Sequence, residues 1–137
     1  MTHHVVQPLE WQRPKGYSNG ILARGATLNI AGQIGWDAMG RFAGRDLASQ
    51  VGQALRNIVV VLTAAGGRIE DLVRLTWYIT SVDAYRAHTQ EIGAAYRDVL
   101  GRHFPVMSVV QVVALVEPQA LVEIEATAVL PDLSSGA

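Results

Sequence analysis

The sequence predicts a single α+β domain in which two helices cover one face of a mixed β-sheet. Short segments of alternating apolar residues stand before, between and after two longer segments whose apolar residues recur every three or four positions, so strands and helices share one chain. The length of 137 residues suits one domain. We place that domain at residues 15–130, between a loose N-terminal segment (residues 1–14) and a short tail (residues 131–137).

The first half of the domain predicts two strands and a helix. Residues 20–23 and 28–34 are short apolar segments, and Arg24-Gly25 between them is typical of a hairpin turn. Asp46 is a suitable N-cap for the helix that follows, and Gly66-Gly67 is a typical helix end. The apolar residues of this helix are Leu47, Val51, Leu55, Ile58 and Leu62.

The second half predicts strand, helix, strand, strand. Residues 73–80 alternate apolar and polar side chains, as in a strand with one buried face. A second helix runs from about Asp83 to Gly101. Residues 107–115 and 121–130 are the last two strands. Both faces of residues 107–115 are largely apolar, although the helices can cover only one face. This favours burial between subunits of an oligomer over burial of a central strand under a long loop.

Composition excludes several classes of function. The net charge is −1 and the arginines are scattered among acids, which argues against a nucleic-acid partner. No cysteine is present, so a disulfide framework and a thiol nucleophile are excluded. No stretch approaches a membrane span, and we expect a soluble, cytoplasmic protein with no membrane partner. His3-His4 is more typical of a solvated terminus than of a metal site, and we expect neither a metal nor a cofactor.

Several motifs in a fixed order resemble those of one known family. They are Gly16-Tyr17-Ser18-Asn19, Ala31-Gly32-Gln33-Ile34, the helix end at residues 57–66, His103-Phe104-Pro105-Val106-Met107-Ser108, and Glu123-Ile124-Glu125-Ala126. Together these segments resemble the RidA (YjgF) family of reactive intermediate deaminases. The resemblance implies a chorismate-mutase-like fold and a homotrimer with a central barrel. It also implies three inter-subunit clefts, each binding a small imine or enamine.

The resemblance also implies roles for individual residues. Glu123 matches the glutamate associated with the attacking water and is the catalytic candidate. The candidates for substrate binding are Tyr17, Ala31, Gly32, Gln90 and Met107. Among them Ala31 stands in place of a serine, Gln90 falls roughly where the family often has an asparagine, and Met107 replaces the arginine that grips the substrate carboxylate.

The methionine at position 107 limits the choice of substrate. A guanidinium forms a charge-assisted, bidentate pair with a carboxylate, whereas a thioether offers only dispersion. The usual amino-acid-derived imines should therefore bind poorly unless another arginine reaches the cleft, and Arg74 and Arg102 are the nearest candidates along the sequence.

Three functions remain open. The first is an enzyme whose cleft lacks a strong carboxylate anchor and which hydrolyses or tautomerises an imine or enamine. The second is a binding trimer that holds a neutral metabolite without turnover. A ribonuclease ranks last, since the chain has no basic groove interleaved with aromatics. Glu123 and Glu125 share one strand face, and such a charged face is more often solvated or salt-bridged than catalytic; only the resemblance favours a catalytic Glu123.

Overall fold

The computed structural model describes residues 3–131; residues 1–2, and residues 132–137 of the predicted tail, lie outside that range. The strands are β1 (His4–Val6), β2 (Gly20–Leu22), β3 (Ala26–Ile34), β4 (Leu72–Ile79), β5 (Val106–Gln111) and β6 (Val122–Leu130). The helices are α1 (Leu47–Ala64), α2 (Val82–Ala87) and α3 (Thr89–Leu100), and a short 3₁₀ turn, Ile69–Asp71, precedes β4.

Four strands form one sheet in the order β3-β6-β4-β5, with β4 and β5 parallel and the other pairs antiparallel. The helices lie against one face of this sheet, where Leu55 and Ile58 of α1 are fully buried in one cluster with Leu75 and Ile124. This apolar layer is the main source of stability, at roughly 1.5–3 kcal/mol for each fully buried large side chain. The predicted α+β class with a mixed sheet is confirmed.

Helix α1 begins and ends as its sequence predicts. The Asp46 carboxylate accepts the Ser49 backbone N–H at 2.9 Å, and this hydrogen bond, first among several causes, lowers the pKa of Asp46. At the other end Gly66 takes a φ of +82°, a left-handed conformation that favours glycine. The Gly67 N–H donates to the Leu62 carbonyl there, at 2.9 Å. Both ends of α1 are thus fixed by local chemistry.

The predicted hairpin at Arg24-Gly25 is wrong. β2 pairs with β1 (Val5 opposite Ile21), so the segment predicted to be loose contributes a strand, whereas β3 pairs with β6. Gly25 has a φ of +145°, and a side chain there would collide with the Leu130 carbonyl. Gly25 thus serves a close passage of the backbone past the end of β6, rather than a tight turn between neighbouring strands.

The second predicted helix is two helices, because His88 leaves the helical conformation at φ −130° and ψ 32° between α2 and α3. The strand predicted to reach residue 115 ends at Gln111, and Val113 beyond it is fully exposed. β5 is an edge strand of its sheet, so burial as a central strand under a long loop is also wrong.

The sheet face opposite the helices, called the open face below, is polar at its centre, and none of the helices in residues 3–131 covers it. Tyr78 is paired with Glu123 in the β4–β6 register, and its hydroxyl donates to Glu125 Oε1 at 2.7 Å. That hydrogen bond is the main cause raising the pKa of Tyr78. Val110 of β5 is 44% exposed on this face. No helix within residues 3–131 is long and apolar enough to cross a membrane.

Candidate functional site

The segment that leads into β5 is held from three sides. The Tyr96 hydroxyl donates to the His103 carbonyl at 2.6 Å, and the His103 ring, through Nε2, donates to the Leu72 carbonyl at 2.7 Å. From the N-terminal side, Ser18 Oγ donates to the Phe104 carbonyl at 2.6 Å. These bonds join α3, β4 and the start of the domain, and they bring the loop before Ser18 next to β5.

This arrangement encloses a cavity of about 340 Å³, called the Met107 cavity below. Its lining residues come from the N-terminal loop, β4, both small helices and β5: Lys15, Gly16, Tyr17, Trp77, Tyr85, Thr89, Ile92, Gly93, Tyr96, Arg97, Phe104, Met107 and Val109. Met107 is paired with Leu75 in the parallel register and therefore faces the helix layer. The structure thus brings together two of the predicted site residues, Tyr17 and Met107.

Aromatic rings form the walls of the Met107 cavity. Tyr96 stacks on Phe104 with ring centroids 5.8 Å apart and on Trp77 at 6.4 Å, and Tyr85 meets Trp77 edge-on at 6.4 Å. Burial raises the pKa of Tyr96 far above its usual range, and raises that of Tyr85, so both phenols stay neutral at physiological pH. Such walls suit a flat or apolar ligand body.

The described lining of the Met107 cavity carries only positive charge. Lys15 and Arg97 contribute two cations, and no acidic side chain lines the Met107 cavity in the part of the chain described. The Arg97 guanidinium lies over Gly93, four residues earlier on α3. Its Nη1 is 3.2 Å from the position that a Cβ on Gly93 would occupy. Sequence reasoning missed Lys15 and Arg97, because nothing local in the sequence distinguishes a cation that lines a cavity from a solvated one.

Glu123 lies elsewhere, on the open face near the β3–β6 bulge. A side chain on Gly32 would overlap the Glu123 carboxylate, so the predicted pair Gly32 and Glu123 is in contact. Ala31 is exposed at the same bulge. Within one chain, Glu123 and Met107 thus lie on opposite faces of the sheet.

The remaining candidates are outside the Met107 cavity. Gln90 is exposed on α3, and its neighbour Thr89 lines the cavity instead. Arg74, opposite Thr127 in the register, projects from the open face. Arg102 lines a larger, more open cavity of about 790 Å³ that contains none of the predicted site residues. Across residues 3–131 no three His, Asp or Glu side chains are grouped as a metal site would require.

Fold and cavity together define a class of protein: a small α+β domain with an aromatic-walled cavity between its sheet and its smaller helices. Comparison with known proteins identifies the family. The endoribonuclease L-PSP family model matches residues 10–130, and the chain belongs to this family, also called RidA or YjgF.

Relatives and solved structures agree with that assignment. The human 2-iminobutanoate/2-iminopropanoate deaminase is 29% identical over 120 residues, covering 87% of this chain and 83% of that protein. A RutC family protein from Pyrococcus horikoshii is 34% identical over 113 residues, covering 82% and 85%. A crystal structure of a conserved Rid family protein from Yersinia pestis matches with a TM-score of 0.80 at 38% identity, covering 95% of this chain and 100% of that one. A YjgF/YER057c/UK114 family member from Mycobacterium tuberculosis matches with a TM-score of 0.64 at 36% identity, covering 84% and 87%.

Proposed function

We propose that this protein binds a small metabolite in clefts between the subunits of a homotrimer, and hydrolyses or tautomerises an imine or enamine there. The observation that carries the proposal is the Met107 cavity, where Tyr17 and Met107 meet an aromatic wall. Relatives named 2-iminobutanoate/2-iminopropanoate deaminase support the reaction class.

The placement of Glu123 supports the proposed oligomer. Met107 faces the helix layer and Glu123 lies on the open face, so one chain does not present both to the same small ligand. A second copy that packs its open face against the mouth of the Met107 cavity would supply Glu123 to the ligand. The same packing would cover Val110, which is 44% exposed on the open face. A closed ring of three copies repeats this arrangement at every interface.

The chemistry requires one proton-transfer group and one bound water. Glu123 accepts a proton from water as the water oxygen adds to the imine carbon, and it delivers that proton to the imine nitrogen. Loss of ammonia from the resulting carbinolamine leaves a carbonyl compound, so that imine and water give carbonyl and ammonia. The aromatic wall holds the carbon skeleton during both steps, and Tyr17 borders the ligand from the N-terminal loop.

One observation favours a second function, a binding trimer without turnover. The Met107 cavity has no acidic side chain among its described lining residues, so catalysis depends entirely on a glutamate from another copy. A trimer that held the ligand without placing Glu123 beside it would bind and not react. Ribonuclease activity ranks below both, since the net charge is −1.

Subunit mixing tests the enzyme and the shared site together. Two inactive variants, Glu123→Gln and Tyr17→Ala, are assayed alone and after co-refolding at equal amounts, and ammonia release from 2-iminobutanoate and 2-iminopropanoate is followed. If each cleft takes Glu123 from one copy and Tyr17 from its neighbour, every mixed trimer regains one intact cleft. Three quarters of randomly mixed trimers are mixed, and one cleft in three is intact in each, so activity returns to about a quarter of wild type.

Each other outcome has a definite meaning. No recovery on mixing, with both variants trimeric, means that Glu123 and Tyr17 act within one chain or not at all. Wild-type protein that accelerates ammonia release neither from these two substrates nor from imines and enamines without a carboxylate supports the binding trimer. A monomeric mass in sedimentation contradicts the shared cleft.

A further inference from the structure

We propose that the Met107 cavity is specific for a monoanion with an aromatic or apolar body, whose charge pairs with Arg97 at the mouth of the cavity. This inference rests on the proposed small-molecule cleft and names its ligand class. It assigns to Arg97 a role in specificity, with the anion held by α3 rather than by the side chain at position 107.

The first argument is the position of the Arg97 guanidinium. It lies on α3 above Gly93, where the missing side chain leaves a notch, and both residues line the cavity. Nη1 is 3.2 Å and Nη2 4.0 Å from the point where a Cβ on Gly93 would be. Alanine at position 93 would therefore require the guanidinium to give way by a few tenths of an ångström. The glycine keeps the charged group close to the helix and at the edge of the cavity.

The second argument is that Arg97 has no acidic partner. No carboxylate of residues 3–131 lies within 4.0 Å of its guanidinium, although Arg97 also borders the larger cavity, which Glu70 and Asp98 line. Lys15 adds a second cation to the same lining, and no described lining residue is acidic. The lining that one chain contributes therefore attracts an anionic ligand and repels a cationic one.

The third argument is the division of the cavity into an apolar interior and a charged mouth. Trp77 is 2% exposed and Ile92 4%, and Met107 lies beside them. Arg97 and Lys15 are both exposed. A ligand that placed its carboxylate against Met107 would lose hydration with nothing in return. The reversed pose, with the hydrocarbon body against Met107 and the carboxylate at Arg97, satisfies both ends.

A matched pair of probes tests this assignment. 3-Phenylpropanoate and its neutral amide have the same carbon skeleton and differ in charge. Binding is followed in full-length protein by the methyl NMR signals of ¹³C-labelled methionine. The chain has three methionines, and Met39, 76% exposed on a loop, is the internal control for Met107. For wild type we expect both probes to shift the Met107 signal and the acid to bind about tenfold more tightly.

Three variants locate the source of that preference. Arg97→Gln should abolish the preference for the acid and leave the affinity for the amide within about twofold. Arg102→Gln, which removes an equal charge from the neighbouring cavity, should retain it. Gly93→Ala keeps the charge and requires only a small shift of the guanidinium, so it should retain most of the preference. Since alanine favours a helix interior over glycine, this variant should remain folded.

The possible results separate this inference from the proposed function. If both probes shift Met107 equally in wild type, or if Arg97→Gln keeps the preference, the assignment of Arg97 is overturned and the cleft proposal stands. If neither probe shifts Met107, the cleft proposal falls with it for ligands of this class.

Discussion

Gln50 of α1 carries the most demanding polar arrangement in the core, and replacing it with glutamate tests our account of the fold. Its side chain is 1% exposed. The amide Nε2 donates to the carbonyls of Gly44 and Gln119, both at 3.0 Å, and Oε1 accepts the Leu121 N–H at 2.8 Å. One amide thus joins α1 to the loop before it and to the loop between β5 and β6.

The expected loss in the free energy of unfolding follows from these three hydrogen bonds. Above neutral pH, Gln50→Glu keeps the acceptor and replaces the donor with a carboxylate oxygen, which then faces two carbonyl oxygens. Two hydrogen bonds are lost at about 1 kcal/mol each, and the buried charge adds a further penalty. We expect a total of about 3–5 kcal/mol, a large fraction of the stability of a domain this size.

The stability of the Gln50→Glu variant should depend on pH in a definite direction. Burial and the two carbonyls should raise the folded-state pKa of the new carboxyl above its unfolded value of about 4.3. A raised pKa means that the stability of the variant is greatest below the unfolded value and falls as pH rises through the folded value. Protonation restores one donor, so the penalty at pH 5 should be smaller than at pH 8.

Urea unfolding of wild type and Gln50→Glu at pH 5 and pH 8 measures the difference in their free energies of unfolding. One fixed protein concentration is used, because assembly would contribute to apparent stability. Gln90→Glu, the same exchange at an exposed position of α3, is the control and should change the free energy of unfolding by less than about 0.5 kcal/mol. A loss below about 1 kcal/mol at pH 8, or a loss independent of pH, would refute the role assigned to Gln50.

Three further predictions concern α1 and the candidate site. Asp46→Ala should lower the free energy of unfolding by about 1 kcal/mol at pH 7. Because the pKa of Asp46 is lowered on folding, this difference should shrink as pH falls below about 3.8, as a series of urea titrations would show. Gly32→Ala should displace the Glu123 carboxylate and reduce ammonia release about tenfold or more, whereas Ala31→Ser, its neighbour on the bulge, should not. Met107→Arg should tighten binding of 2-iminobutanoate, measured as a KM about tenfold lower; an unchanged KM would mean that the substrate carboxylate does not reach position 107.

Helix α1 was predictable because every signal that defines it is local. The apolar spacing from Leu47 to Leu62, the cap at Asp46 and the glycine at position 66 each act within a few residues, and each is found as expected. Strand pairing is different, because the partner of a strand is chosen by contacts far along the chain. Arg24-Gly25 therefore looked like a hairpin turn, although Gly25 passes the end of β6 instead.

The candidate site also contains residues that the sequence could predict and residues that it could not. Tyr17 and Met107 were found from short motifs, and the structure places both on one cavity. Arg97 was missed because nothing local distinguishes a cavity-facing arginine on a helix from a solvated one. Only the packing of α3 beside β5, with Gly93 beneath the guanidinium, shows the difference. Gln50 was missed because a glutamine among apolar residues carries no sign of which backbone groups it will satisfy.

The hydrogen bonds that hold the segment before β5 have a consequence for how this scaffold can change. Since Tyr96, His103 and Ser18 fix the cavity walls through bonds to backbone carbonyls, substitutions there would disturb folding before they altered selectivity. The mouth is formed by exposed positions such as Lys15 and Arg97, where exchanges typically change stability by no more than about 0.5 kcal/mol. New ligand preferences could therefore arise through single exchanges at the mouth, with the folded framework left intact.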